Sequence, residues 1–90
     1  MVHSRKIPVT DEMRKTFPAR LKKLRRDAGH KQLRLSLRAD VTMASLQAYE
    51  NGRIFPGDQA LERLAEALGI SVQHLLGIET SEGDSVRAAV

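Results

Sequence analysis

The chain has no cysteine, which removes both a disulfide framework and a thiolate metal site and suits a reducing cytoplasm. Aromatic residues are scarce: one Tyr, two Phe and no Trp, against a hydrophobic fraction of 41%. A core built from this composition must be aliphatic, and 90 residues provide for one small domain with a single core. Helix packing suits such a core. Long apolar runs are also missing. No stretch is long enough to span a bilayer, and the basic residues near the start, Arg5 and Lys6, are not followed by the apolar run of a signal peptide. His3, His30 and His74 are far apart in the chain without neighbours at ligand spacing, so no metal site is expected; no cofactor is expected either.

Charge is present but unevenly placed. Residues 1 to 40 carry twelve Lys or Arg against four Asp or Glu, a net +8, whereas residues 41 to 90 carry three against seven, a net −4. The first half is therefore the side to offer to a polyanion. Taken alone, the run Arg20, Lys22, Lys23, Arg25 and Arg26 reads as the solvated face of a helix, and only a motif would give it another meaning.

Residues 1 to 9 read as an arm. Thr10 before Asp11 and Glu12 can cap a short helical turn toward Thr16. Pro18 forbids a smooth continuation unless it falls in the first turn of a new helix. From there Leu21, Leu24 and Ala28 recur at helical spacing, with Gly29 placed to end the helix in a left-handed conformation. The segment Gln32 to Ala39 is ambiguous. Leu33, Leu35 and Leu37 alternate as in a half-buried strand, but everything around it is helical and a lone strand would have no partner, so a second helix is expected, with Asp40 in the turn. Thr42 can cap a third helix that buries Leu46 and Tyr49 and ends near Asn51-Gly52. A fourth runs from about Asp58 to Leu68 with Leu61, Leu64, Ala65 and Leu68 on one face and Gly69 at its end. Ser71 caps a last short helix through Leu76. The tail from Ile78 to Val90 has no clear apolar face and is expected to be flexible.

This order of residues resembles the phage-repressor-like (Xre-type, lambda-repressor-like) helix-turn-helix family. The resemblance covers roughly Arg20 to Gly77. It rests on Gln32, Leu35, the small residue Ser36, the turn Asp40-Val41-Thr42, Leu46, the run Glu50-Asn51-Gly52, Pro56, and Leu64 to Ser71 before Leu75-Leu76. Each of these is weak alone; their order and spacing together are specific. The resemblance implies an all-α fold, a compact five-helix bundle whose third helix enters the major groove of DNA, in proteins that usually bind palindromic sites as dimers. The domain is placed at residues 17–77, with an N-terminal arm or short extra helix over 1–16 and a flexible C-terminal tail over 78–90.

The residue types fit that reading on physical grounds. Ser36 faces the crossing of the second and third helices, where Leu would push them apart. Arg25 and Glu50 match the family's buried ion pair, which would tie the first helix to the end of the third. Gln32 stands at the start of the second helix, where free backbone N–H groups and the helix dipole suit a phosphate, and its side chain can brace or touch a base; Lys31 lies beside it. With Leu46 and Tyr49 turned to the core, Ala44, Gln47, Ala48 and Asn51 point outward, flanked by Met43 and Ser45. Gln47 alone is a long polar side chain near the centre of this face. It can pair with the N6 and N7 edge of adenine while Ala or Met lies against a thymine methyl, which favours A·T-containing steps. Phosphates are expected at Lys31, Gln32, Thr42 and Arg53, and at Arg5 and Lys6 of the arm, with DNA shape adding discrimination.

Two features depart from the family pattern. Asp40 replaces the usual Gly, and Lys31 replaces a better capping residue. Leu33 and Leu37 also occupy positions normally polar and exposed, four apart on one face, which predicts that Ile7, Val9 or Met13 folds over them, that a partner does, or that they are simply exposed. The functional expectation is a cytoplasmic, nucleoid-associated regulator that binds double-stranded DNA as a homodimer and represses a promoter. One alternative is the antitoxin of a toxin–antitoxin pair, repressing its own operon and gripping a toxin protein; another is a domain of this fold that binds only protein. No catalytic constellation, glycine-rich phosphate loop or paired carboxylate can be placed on the chain, so an enzyme is not expected.

Overall fold

A computed structural model describes residues 8–78. It contains five helices: α1 (Asp11–Asp27), α2 (Gln32–Ala39), α3 (Met43–Glu50), α4 (Asp58–Leu68) and α5 (Val72–Leu76), and no strand among the described residues. α1 packs on α3 and α5, α2 packs on α3 and α4, and α4 closes on α5. The side chains wholly enclosed between them are Phe17, Leu21, Leu35, Leu46, Leu64 and Leu75. The core is thus aliphatic except for Phe17 and the buried Tyr49, as the composition requires.

The expected break at Pro18 is absent. α1 runs unbroken from Asp11 to Asp27 with Pro18 inside it, so residues 11 to 16 are the first part of α1 and not a separate arm or extra helix. Pro18 has no N–H to give the Arg14 carbonyl, and an interior proline costs a helix about 3 kcal/mol. Contacts outside the local sequence outweigh that cost. Phe17 is enclosed and meets Phe55 edge to face, ring centroids 5.1 Å apart. The Arg14 guanidinium lies 5.0 Å from the centre of the same Phe55 ring, and Met13 packs against the core. Thr10 Oγ1 accepts from the Met13 N–H at 3.1 Å, and Asp11 and Glu12 sit in the first turn, where a cap and negative charge both stabilise a helix.

The end of α1 is closed by paired backbone bonds. The His30 N–H reaches the Arg25 carbonyl at 3.1 Å and the Gly29 N–H reaches Arg26 at 2.9 Å, with Gly29 left-handed at φ 81°, as expected. α2 is the helix expected over the competing strand pattern. Its inner face buries Leu35, Ser36 and Ala39. Ser36, placed where a small residue is required, donates its hydroxyl back to the Leu33 carbonyl at 2.8 Å. Asp40 ends α2 at φ 58°, ψ 44°, a left-handed conformation that Asp tolerates better than most residues.

Leu33 and Leu37 are 56% and 72% exposed. Met13, one of the three residues expected to shield them, goes to the core instead; Ile7 lies outside the described residues. Thr42 and Ser71 cap α3 and α5, their hydroxyl oxygens accepting from Ser45 and His74 N–H at 2.9 and 3.0 Å. Ile78, assigned from sequence to the tail, packs against the core and donates its N–H to the Gln73 carbonyl at 2.9 Å. The rest of the expected tail, and the arm residues Arg5 and Lys6, lie outside the described residues.

Candidate nucleic-acid interface

The site is organised around one buried carboxylate. Glu50, at the end of α3, has a fully buried side chain. Arg25 of α1 grips it with two N–H groups, Nε to Oε2 at 2.7 Å and Nη2 to Oε1 at 3.1 Å. The guanidinium's third contact is Nη1 to the His30 carbonyl at 3.0 Å. Gln32 Nε2, from the first turn of α2, donates to Glu50 Oε1 at 3.0 Å. An ionised carboxylate only accepts, so the Gln32 amide must turn its nitrogen toward it. No buried side-chain nitrogen or oxygen among the described residues lacks a partner. A forked Arg–carboxylate pair is directional as well as strong. Here it joins α1, the turn before α2, the start of α2 and the end of α3, and so sets the angle at which α3 is presented.

The expected ion pair is therefore present, and Gln32 braces it. Gln32 gives one N–H of its amide to Glu50, which by donor count leaves the second N–H and the carbonyl oxygen for the expected base contact.

The outer surface of α3 carries Ala44, Gln47 and Asn51 exposed, with Met43, Ser45 and Ala48 half-buried at its margins. Gln47 is the long polar group on that surface. Thr42 is exposed at the N-terminal end, its hydroxyl oxygen already accepting the capping bond. At the other end Gly52 turns the chain at φ 76°. The Arg53 N–H closes on the Ala48 carbonyl at 2.9 Å, and this fixes the backbone from which the exposed Arg53 side chain projects. Lys31 is the N-cap of α2, exposed, with no side-chain capping bond.

Sequence reasoning missed several contacts. Arg20, read as part of a solvated face, crosses to the end of α5 and donates through Nε and Nη2 to the His74 carbonyl at 3.0 and 2.7 Å. Arg14 and Phe55 were not singled out, although their stacking holds the loop after α3 against α1. Ile54, beside Arg53, is 52% exposed. No local pattern announces any of these, because the partners are distant in sequence.

The helix-turn-helix domain family model matches residues 17–76, more than half of the chain, and the chain belongs to that family of DNA-binding domains. Among solved structures it is similar to the crystal structure of the hypothetical transcription factor NHTF from Neisseria, with a TM-score of 0.68 and 21% identity, over 92% of this chain and 97% of that one. At that identity the likeness is one of fold. No curated protein matches the chain. None of the described helices is long and apolar enough to cross a membrane.

Proposed function

We propose that the protein is a sequence-specific transcriptional regulator that works in the cytoplasm on the nucleoid. It binds a palindromic operator as a homodimer, with α3 in the major groove, and represses by occupying a promoter. The observation that carries this reading is the rigid mounting of α3: a buried, bidentate Arg25–Glu50 pair braced by Gln32 holds a helix whose outward surface is small except for Gln47. In this reading Gln47 meets adenine, Met43, Ala44 and Ala48 line the thymine methyls, and Ser45 and Asn51 flank them. Lys31, Thr42 and Arg53 meet phosphates. The chain performs no catalysis of its own. Selection of bound duplexes from a random pool tests the reading. An enriched palindrome is expected, and its spacing gives the half-site separation; recovery of no sequence above background would sink it.

The exposed pair Leu33 and Leu37 favours a second reading, in which the same domain is an antitoxin that represses its own operon and holds a toxin protein. A short toxin-like reading frame beside the gene, and a complex with its product lost on Leu37→Glu, are the expected signs; the absence of both leaves the regulator alone.

A further inference from the structure

The cations of α1 that look like a solvated face share a cleft with the start of α2. An open concavity of about 750 Å³ lies where these two helices meet, lined by Lys22, Arg25, Arg26, His30, Lys31 and Gln32 among others. No Asp or Glu is among its lining residues. Arg25, buried, is neutralised by Glu50, so neither contributes a free charge to the surface. That leaves Lys22, Arg26 and Lys31, three cations for which no ion-pair partner occurs among the described residues. Lys23, by contrast, is tied to Asp27 at 2.9 Å. Arg26 and Lys31 are exposed and Lys22 is half-buried. Lys22 and Arg26 are four apart and so lie on one face of α1.

Lys22 and Arg26 also line a neighbouring concavity with Asp27 and Glu50, but Asp27 is tied to Lys23 and Glu50 to Arg25, so the three cations around this cleft favour an anion beside them. The cleft also contains Lys31 and Gln32, so it continues directly from the start of the helix-turn-helix. We infer that this cleft takes the sugar–phosphate backbone of duplex DNA, with Lys22 and Arg26 each neutralising a phosphate, so that the electrostatic footprint extends from the helix-turn-helix onto α1. The inference rests on the DNA-binding reading above and adds two residues that the motif does not contain. Contacts of this kind carry no sequence information. They raise affinity for all DNA and bias the orientation in which α3 meets the groove.

The test is the salt dependence of binding to a duplex selected from a random pool and to a scrambled duplex of the same length. Each phosphate neutralised contributes about −0.9 to the slope of log K against log salt. The double variant Lys22→Ala, Arg26→Ala should flatten the slope by about 1.8 units, weaken both duplexes by the same factor, and keep the helical circular dichroism of the parent. Lys22→Arg with Arg26→Lys should restore the slope. Arg38→Ala with Arg63→Ala removes the same charge from a different surface, the end of α2 against α4, and should change the slope by well under one unit. An unchanged slope in the cleft variant, or an equal fall in both double variants, overturns the inference while leaving DNA binding intact. If the parent protein binds neither duplex, the DNA-binding reading itself fails, and the cleft with it.

Discussion

Glu50 is the residue on which the geometry of the site depends. Its carboxylate is fully buried and is held from two elements, by Arg25 and by Gln32. Glu50→Ala would leave the Arg25 guanidinium buried without its counter-charge, and breaking such a pair costs about 3–5 kcal/mol, against about 0.5 for an ordinary surface change. The midpoint of denaturant unfolding should fall accordingly; an unchanged midpoint would mean that solvent reaches both groups. Asp40 offers the opposite sign. An L-residue in the left-handed helical region costs about 1–2 kcal/mol, less for Asp, while Gly pays no steric cost but frees the unfolded chain. The Asp40 carboxylate approaches Arg63 only at 4.0 Å and is 89% exposed, so little is lost with it. Asp40→Gly should therefore stabilise by up to about 1 kcal/mol, read from the same unfolding curves, and a lower midpoint would give the carboxylate a role that its distances do not suggest. Both residues were legible in the sequence, Glu50 through the run Glu50-Asn51-Gly52 and Asp40 by standing where Gly is usual. Arg20 was not, since its acceptor lies 54 residues away and nothing in a helix face of five cations distinguishes the one that reaches across to α5.

At the level of elements, the same contrast separates α2 from α1. The alternation of Leu33, Leu35 and Leu37 fits a strand as well as a helix, and the surrounding helices decided it: α2 buries Leu35 and Ala39 and leaves the other two leucines outside. In α1 the local rule was misleading. Pro18 argues for a break, but the forces that keep the helix continuous come from Phe55 in a loop far along the chain, and no local window contains them. That account predicts the effect of Pro18→Ala. The substitution restores an N–H donor to the Arg14 carbonyl and removes the ring's crowding, a gain of about 3 kcal/mol, offset by about 1 for the freer unfolded chain. A net stabilisation of about 1–2 kcal/mol is expected in thermal or denaturant unfolding, with helical content unchanged. A loss of stability would show that the proline ring, which stands beside Gly52, contributes more by packing than it costs the helix.

For the whole molecule, the proposed reading requires a helix with so few polar side chains to distinguish one sequence from another. The mounting of α3 is rigid, the cations lie at the edges of the site, and one long polar group lies near its centre. In the proposed reading positioning and base recognition fall to different residues, and they separate experimentally. Lys31 and Arg53, at phosphates, should on replacement by Ala weaken binding to every duplex alike and flatten the slope of log K against log salt by about one unit each. Gln47 at a base edge should behave otherwise. Gln47→Ala should cost about 1–3 kcal/mol on the selected site and much less on a scrambled one, while leaving the salt slope nearly intact. Titration of the three variants against both duplexes at several salt concentrations distinguishes these patterns. If Gln47→Ala weakens both duplexes equally, Gln47 is another backbone contact. Discrimination would then fall to Gln32, whose amide keeps one N–H and its oxygen beside the bond to Glu50, to apolar contacts between α3 and thymine methyls, and to the shape of the DNA.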